Sequence, residues 1–457
     1  MPCPRSCPPV ISILVKVTNR TPCFSRPEPV GALLVQAFSR NEGRDRAERH
    51  VEELGHLVES ADLLQKGFRI FAVDRMHPAT YLGKGQVENL KNDALHLDVE
   101  VVVFNHPLSP VQQRNLENAL KVKVVDRTGL ILEIFAARAR TREGNLQVNL
   151  AMLLYQQSRL VRTWSHLERQ RGGVGLRGGP GETQIEVDRR LIRDRIHRLT
   201  KQLSHVERTR SLQRHARRDV PYFTVSLVGY TNAGKSTLFN RLTSAGVYEA
   251  DQLFATLDPT MRGLTLPSGQ RIILSDTVGF IRDLPHQLIA AFRATLEEVL
   301  EADLLLHIVD LSDGEHLEQQ RIVMEVLTEL GAGHKPVLMV YNKCDRLTNE
   351  EPSATDRAAS RYDSLIISAK TGQGMSELIQ ALQRAASKES QVFHLYIPVT
   401  DGALLARICR EGHVLHRQDR EQDISLTVAF APAAAGRIRK TIEPLLAPQG
   451  EPAGIHR

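Results

Sequence analysis

The run Val225-Ser226-Leu227-Val228-Gly229-Tyr230-Thr231-Asn232-Ala233-Gly234-Lys235-Ser236-Thr237 decides the fold. Its apolar start reads as a buried strand, and Leu238-Phe239-Asn240-Arg241-Leu242 reads as the opening of a helix. Between them stands Gly-x-x-x-x-Gly-Lys-Ser, in the strand–loop–helix context of a phosphate-binding loop. Backbone N–H groups of such a loop, with the helix N-terminus behind them, wrap a polyphosphate. Gly229 to Thr237 are therefore the candidate phosphate-binding residues. Lys235 is expected to reach the β- and γ-phosphates, and the Ser236 hydroxyl to ligate Mg2+.

Three further motifs follow in order. Arg271-Ile272-Ile273-Leu274-Ser275 predicts a strand ending in Asp276-Thr277-Val278-Gly279. Asp276 would hold Mg2+ through water and the Gly279 N–H would meet the γ-phosphate. The segment Phe254-Ala255-Thr256-Leu257-Asp258 between the two motifs reads as a switch, with Thr256 as the second Mg2+ ligand. Val337-Leu338-Met339-Val340-Tyr341 predicts a strand leading into Asn342-Lys343-Cys344-Asp345. A carboxylate at Asp345 accepts both N1–H and N2–H of guanine, a pair that adenine lacks. Asn342 would buttress this loop, Lys343 would lie along the base, and the backbone of Ser368-Ala369-Lys370 would meet guanine O6.

These ordered motifs resemble a GTP-binding domain of the Ras-like class. In Ras-like enzymes a glutamine that orients the attacking water follows Asp-x-x-Gly. Phe280 stands there in this chain, so no catalytic residue is assigned and slow hydrolysis by the chain alone is expected. Asn232 occupies the position where some such GTPases hold a potassium ion, so K+ stimulation is expected beside Mg2+.

The bulk composition bounds the rest. A chain of 457 residues, 42% hydrophobic and 25% charged, is globular and long enough for several domains. No apolar run approaches the ~20 residues that span a bilayer. The net charge is +6, yet residues 159–218 alone hold 16 Lys/Arg against 6 Asp/Glu, so the remainder is net acidic. A basic character confined to one segment points to an anionic partner there. Five scattered cysteines make no disulfide framework and indicate a reducing cytosol. Cys3 and Cys7 lack a second ligand pair for zinc.

Residues 1–29 are proline-rich and without acid before Glu28. They read as a disordered tail or a mis-assigned start. Residues 30–140 read as an α/β subdomain. Its expected strands are Ala32–Val35, Phe68–Val73, Glu100–Phe104 and Val122–Val125, with helices over 44–65, after Leu82-Gly83-Lys84-Gly85, from Pro110 behind a Ser109 cap, and over 128–139. The Gly83-Lys84-Gly85 loop reads as a turn rather than a phosphate site. Residues 141–218 predict a basic antiparallel helical hairpin. Leu146, Leu150, Leu153, Gln157, Leu160, Trp164 and Leu167 step by four and three, as do Ile192, Ile196, Leu199, Leu203 and Val206. Six glycines within 172–181 make its tip. Arg169, Arg171, Arg177, Arg189 and Arg190 flank that tip and are candidate RNA contacts, because guanidiniums fork onto phosphates and stack on bases. Residues 219–388 form the GTPase domain, and 389–457 a small α+β domain.

The chain resembles the HflX family, within the Obg-related group. The resemblance is carried by Leu108-Ser109-Pro110, by Asp126-Arg127-Thr128-Gly129-Leu130-Ile131-Leu132, and by the run from Trp164-Ser165-His166-Leu167-Glu168-Arg169-Gln170 into Pro180-Gly181-Glu182-Thr183-Gln184. Gly229–Thr237, Phe254–Thr260 and Asp276-Thr277-Val278-Gly279-Phe280-Ile281-Arg282 complete it. Residues 1–29 have no counterpart in the family pattern, and the tip Arg177-Gly178-Gly179-Pro180-Gly181 carries one extra glycine.

The resemblance implies α/β architecture, with a P-loop GTPase domain whose mostly parallel sheet has helices on both faces. It implies a GTP-hydrolysing factor that binds the large ribosomal subunit and helps split or rescue stalled ribosomes, its helical region reaching rRNA near the peptidyl transferase centre. GTP and GDP as ligands, stimulation by ribosomes, a side ATPase activity, a monomer and a cytoplasmic location, with peripheral membrane association as a variant, belong to the same expectation. Two other functions fit the motifs. One is an RNA-remodelling chaperone that uses nucleotide as a structural switch. The other is a GTPase regulator of a membrane protease.

Overall fold

The computed structural model describes residues 29–39, 43–163, 184–217, 222–243, 253–254, 260–284, 298–347, 364–388, 391–420 and 422–430, together with 438, 441–442 and 445. The chain divides into two compact units. One comprises Met1–Val206, Glu249–Asp258 and Arg282–Thr295; the other comprises Glu207–Tyr248, Pro259–Ile281 and Leu296–Arg457.

The first unit runs β1 (Gly31–Phe38), α1 (Arg44–Ser60), β2 (Leu64–Ala72), α2 (Lys84–His96), β3 (Val101–Phe104), α3 (Pro110–Leu120), β4 (Lys123–Asp126), α4 (Arg127–Arg138), α5 (Arg142–Thr163) and the start of α6 (Gln184–Arg217). Its four strands are parallel, in the order β2-β1-β3-β4. Runs such as Val101-Val102-Val103-Phe104 are wholly buried, because helices cover both faces of a parallel sheet. Leu33, Val35, Leu90, Val102, Phe104, Leu116 and Val124 form the core on one face.

Local chemistry sets the helix starts. Ser109 accepts the Gln112 N–H at 3.2 Å while the Gln112 side chain accepts the Ser109 N–H at 2.9 Å, a reciprocal cap ahead of Pro110. Gly83 at the start of α2 has only half of that cap, its N–H donating to Gln86 Oε1 at 3.0 Å, so Gly83-Lys84-Gly85 is a helix start. Buried Asp126 caps α4 through the Gly129 N–H and also accepts from the Tyr155 hydroxyl and Arg159 Nη2, each at 2.6 Å. That carboxylate fastens α5 to the end of the sheet.

Helix α5 buries a face that the sequence expectation did not name. Val148, Ala151, Met152 and Tyr155 are its buried apolar residues among those described, where it packs on α3 and α4. The expected stripe of Leu146, Leu150, Leu153 and Gln157 is only half-buried. Helix α5 is apolar on two sides, and spacing alone could not tell which side the core takes. On α6 the expected stripe is the less exposed side, with Leu203 buried and Ile192, Ile196, Leu199 and Val206 half-buried. The glycine tip lies outside the described residues.

The second unit contains β5 (Phe223–Gly229), α7 (Lys235–Thr243), β6 (Thr260–Thr265), β7 (Arg271–Asp276), β8 (Leu304–Asp310), α8 (His316–Glu329), β9 (Val337–Asn342), β10 (Leu365–Ile366) and α9 (Met375–Lys388). The sheet order is β10-β9-β8-β5-β7-β6, parallel except for β6 on β7. Chain growth reverses direction at β5, with β7 on one side and β8 on the other. The carboxyl end of β5 is therefore the switch point where open α/β sheets take ligands. Then follow β11 (Gln391–Pro398), α10 (Gly402–Glu411), β12 (His413–Asp419) and β13 (Asp423–Phe430), an antiparallel sheet in the order β11-β13-β12 with its own small core. Among the described residues no helix is long and apolar enough to cross a membrane.

Candidate functional site

The candidate phosphate loop leaves β5 at its carboxyl end and enters α7 at Lys235. Gly234 has φ +91°, and a Cβ there would lie 2.2 Å from the Asn342 amide nitrogen, so only glycine fits. Asn232 adopts the left-handed conformation at φ +60° and is exposed. The Lys235 ammonium is buried within the loop and donates to the carbonyls of Tyr230 at 2.7 Å and Gly229 at 3.2 Å. Burial pushes its pKa down to about 8, against the attraction of the Asp276 carboxylate, and Lys343 lowers it further. His307 is buried on β8 opposite Val228, and burial holds its pKa down at about 3. It stays neutral and adds no second cation beside Lys235.

Asp276 ends β7 beside this loop, and Ser236 Oγ donates to its Oδ2 at 2.8 Å. A hydroxyl and a carboxylate thus converge at the helix N-terminus. Among the described residues no three His, Cys, Asp or Glu side chains group as metal ligands. A hard cation here would draw its remaining oxygens from phosphate and water, the habit of Mg2+. Thr277 donates to the Leu227 carbonyl at 2.6 Å. Gly279 lies so close to the loop that a Cβ would sit 2.9 Å from Thr231 Cα and 3.0 Å from Lys235 Nζ. Phe280 is buried, its N–H donating to the Gly229 carbonyl at 3.1 Å and its carbonyl accepting from the Thr231 N–H at 2.7 Å. The residue in the glutamine's place is a strap between two loops.

The candidate base loop follows β9. Buried Asn342 donates to the Ala233 carbonyl and accepts from the Ala369 N–H, both at 2.9 Å. Lys343, at φ +62°, pairs with Asp310 at 2.7 Å. Asp345 is exposed and accepts from the Ser368 hydroxyl at 2.5 Å, a bond that holds its carboxyl below the usual range. Arg241 on α7 was missed by motif reading. It donates to the carbonyls of Ala369 at 2.6 Å and Lys370 at 2.5 Å, bolting that turn to the phosphate-loop helix.

Other candidates stand elsewhere. Ala255, Thr256, Leu257 and Asp258 lie outside the described residues, as do Arg169, Arg171 and Arg177. Phe254 is buried in the first unit with its ring edge-on to Phe135, centroids 4.6 Å apart. Arg190 is exposed on α6 and Arg189 half-exposed.

The family described as GTP-binding GTPase N-terminal matches residues 48–136, GTP-binding GTPase Middle Region matches 138–217, and 50S ribosome-binding GTPase matches 224–343. A GTPase HflX of Magnetococcus marinus is 56% identical over 415 residues, covering 91% of this chain and 96% of that one. The chain belongs to the HflX family of GTPases. The HflX of Escherichia coli is 46% identical over 389 residues, covering 84% and 90%. The solved structure of a GTP-binding protein from Sulfolobus solfataricus in complex with GDP aligns over 79% of this chain and 99% of its own, at 23% identity and TM-score 0.43. In the run Asp126-Arg127-Thr128-Gly129, Asp126 caps α4, while Arg127 donates to Asn105 and Glu53.

Proposed function

We propose that this GTPase binds the large ribosomal subunit and uses GTP to help split or rescue stalled ribosomes. The observation that supports the nucleotide part is the convergence of Lys235, Ser236, Asp276, Asn342 and Asp345 on loops at the carboxyl ends of neighbouring strands. In this reading the Gly229–Thr237 backbone and Lys235 hold the phosphates, and the Gly279 N–H reports the third one. Asp345 takes the guanine edge. Ser236 and Thr256, with Asp276 through water, would hold Mg2+, which shields the phosphate charge. Potassium beside Asn232 would supply a fixed positive charge where no glutamine stands.

The ribosomal part is supported by the family description of residues 224–343 and by the arginines of α6. The basic excess in 159–218 suits rRNA near the peptidyl transferase centre, with Arg169, Arg171, Arg177, Arg189 and Arg190 as contacts. Turnover measured with and without purified large subunits tests this. Subunits are expected to accelerate GTP hydrolysis at least tenfold in K+, less in Na+, and deletion of 172–181 to remove the gain. Turnover indifferent to subunits moves the reading to an RNA-remodelling protein with nucleotide as a structural switch; equal rates in the two salts remove potassium.

Arg241→Ala is expected to weaken GDP binding about tenfold, the equivalent of roughly 1.4 kcal/mol, because the Ala369–Lys370 turn loses its two anchors. Titration of a fluorescent GDP reads it, and an unchanged affinity would show that the turn holds itself.

A further inference from the structure

The first unit leaves one edge of its sheet open. Strand β2 ends the order β2-β1-β3-β4, and among the described residues no strand pairs with its outer side. Val73 donates its N–H to the Phe38 carbonyl of β1 at 2.9 Å. By alternation Phe71 and Arg69 also turn their backbone groups to β1, while Phe68 and Ile70 turn theirs outward. The Ala72 carbonyl, on that same outer side, accepts from the Gln86 side chain at 3.0 Å. An open edge of nine residues is a template for pairing, and proteins guard such edges with charged side chains. Strand β2 has two candidate guards, and both are drawn towards α2 and the turn after it. Lys66 Nζ donates to the Asp98 carbonyl at 2.8 Å, and Arg69 forks onto Asp93 with both bonds at 2.6 Å. Leu64 and Phe68 are left 48% exposed each.

Beside this edge lies a groove of about 700 Å³, with Phe68 on one side and α1 on the other. From α1 it is lined by Asp45, Glu48, Glu52, Gly55 and Glu59, whose steps of three and four place them in one stripe along the helix. The stripe runs about 21 Å, the length of about six strand residues. Its four carboxylates outweigh Arg49 and the imidazole of His56, which also line the groove. Glu48 meets Arg44 at 3.0 Å and Glu59 meets His56 at 3.6 Å, exposed pairs that contribute little.

We infer that the β2 edge takes an extended, lysine- or arginine-bearing segment of a partner protein as an added strand. The main chain of that segment bonds to the outward groups of Phe68 and Ile70. Its side chains over the groove lay their methylenes on Phe68 and carry their charges to Glu48 and Glu52. Charge selects this occupant over others. A second copy would set one acidic stripe against another, and RNA would set phosphate against carboxylate. Guanine nucleotide and rRNA have no part in this contact, which is separable from the function proposed above.

The test titrates the full chain with a labelled eight-residue peptide of alternating lysine and valine. The same peptide N-methylated throughout keeps every charge and has no amide hydrogen to give. The expected result is saturable micromolar binding of the first peptide, at least tenfold weaker binding of the methylated one, and none of a glutamate–valine peptide. On a Glu48→Gln/Glu52→Gln chain the first peptide is expected to bind at least fivefold more weakly. Both glutamates are exposed, so this chain is expected to keep its thermal melt, and the methylated peptide is read on the natural chain in any case. Equal binding of the methylated peptide, or binding indifferent to the double substitution, would mean a loose attraction of charges and overturns the inference. Absence of binding overturns it too, whether residues 1–28, with four basic residues and one acid, already hold the edge or a second copy does. Sedimentation of the chain alone tells these two apart.

Discussion

Lys235→Ala is expected to weaken GDP and GTP binding by about 10²- to 10⁴-fold, from the loss of two charge-assisted hydrogen bonds worth roughly 1.5–3 kcal/mol each. In the structure the ammonium is satisfied by the Gly229 and Tyr230 carbonyls, so the loop holds it in place ahead of any phosphate. Its depressed pKa makes the effect titrate in the natural chain. Bound phosphates favour the ammonium, so binding takes up a proton wherever Lys235 is neutral. Affinity is therefore full well below pH 8 and falls as pH rises above it, by about tenfold per unit. Stability of the nucleotide-free fold has the opposite sign. The unfolded lysine titrates near 10.5, so between about 8 and 10.5 the unfolded chain binds more protons and this group's contribution to stability rises with pH. Nucleotide titrations from pH 6.5 to 9.5 check the first sign, and an affinity flat across that range would mean that Lys235 does not meet the phosphates.

Asp345→Asn is expected to exchange guanine for xanthine. The carboxylate is exposed, fixed by Ser368, and held ionised by that bond. It can therefore accept two N–H groups from one base edge. An asparagine keeps one acceptor and turns the other position into a donor, which faces the N2–H of guanine but matches the O2 of xanthine. GTP affinity should fall at least 100-fold, about 2.7 kcal/mol or more, as expected when a charged acceptor is lost and a donor is left facing a donor. XTP should gain by a similar factor, and ATP should remain weak. Competition of the three nucleotides against labelled GDP measures this. Unchanged GTP binding would place the base elsewhere.

What was legible in the sequence follows from where the constraint is local. Gly229, Gly234, Lys235 and Ser236 must stand at fixed spacing because one loop and one helix turn hold them, and Asn342 and Asp345 likewise share a single turn. The capped start Ser109-Pro110 is local too. Strand β12 was not read, because His413-Val414-Leu415-His416-Arg417-Gln418-Asp419 is largely exposed and its pattern is not that of a core strand. Strand β6, on the outer edge of its sheet, has no buried residue and left as little trace. The pair of Glu53 and Arg127 was invisible because its members lie 74 residues apart along the chain. Arg241 was overlooked for the same reason, since its acceptors are backbone carbonyls, which carry no residue signature.

The two bonds of Asn342 have a consequence for what the site measures. One short amide side chain spans from the Ala233 carbonyl in the phosphate loop to the Ala369 N–H in the base loop. The distance between the two ends of the cleft is thereby held by one side chain and its two hydrogen bonds. Such a cleft behaves as a gauge block. A molecule whose head and tail are the right length apart meets both ends at once, and its halves, supplied separately, each gain nothing from the other.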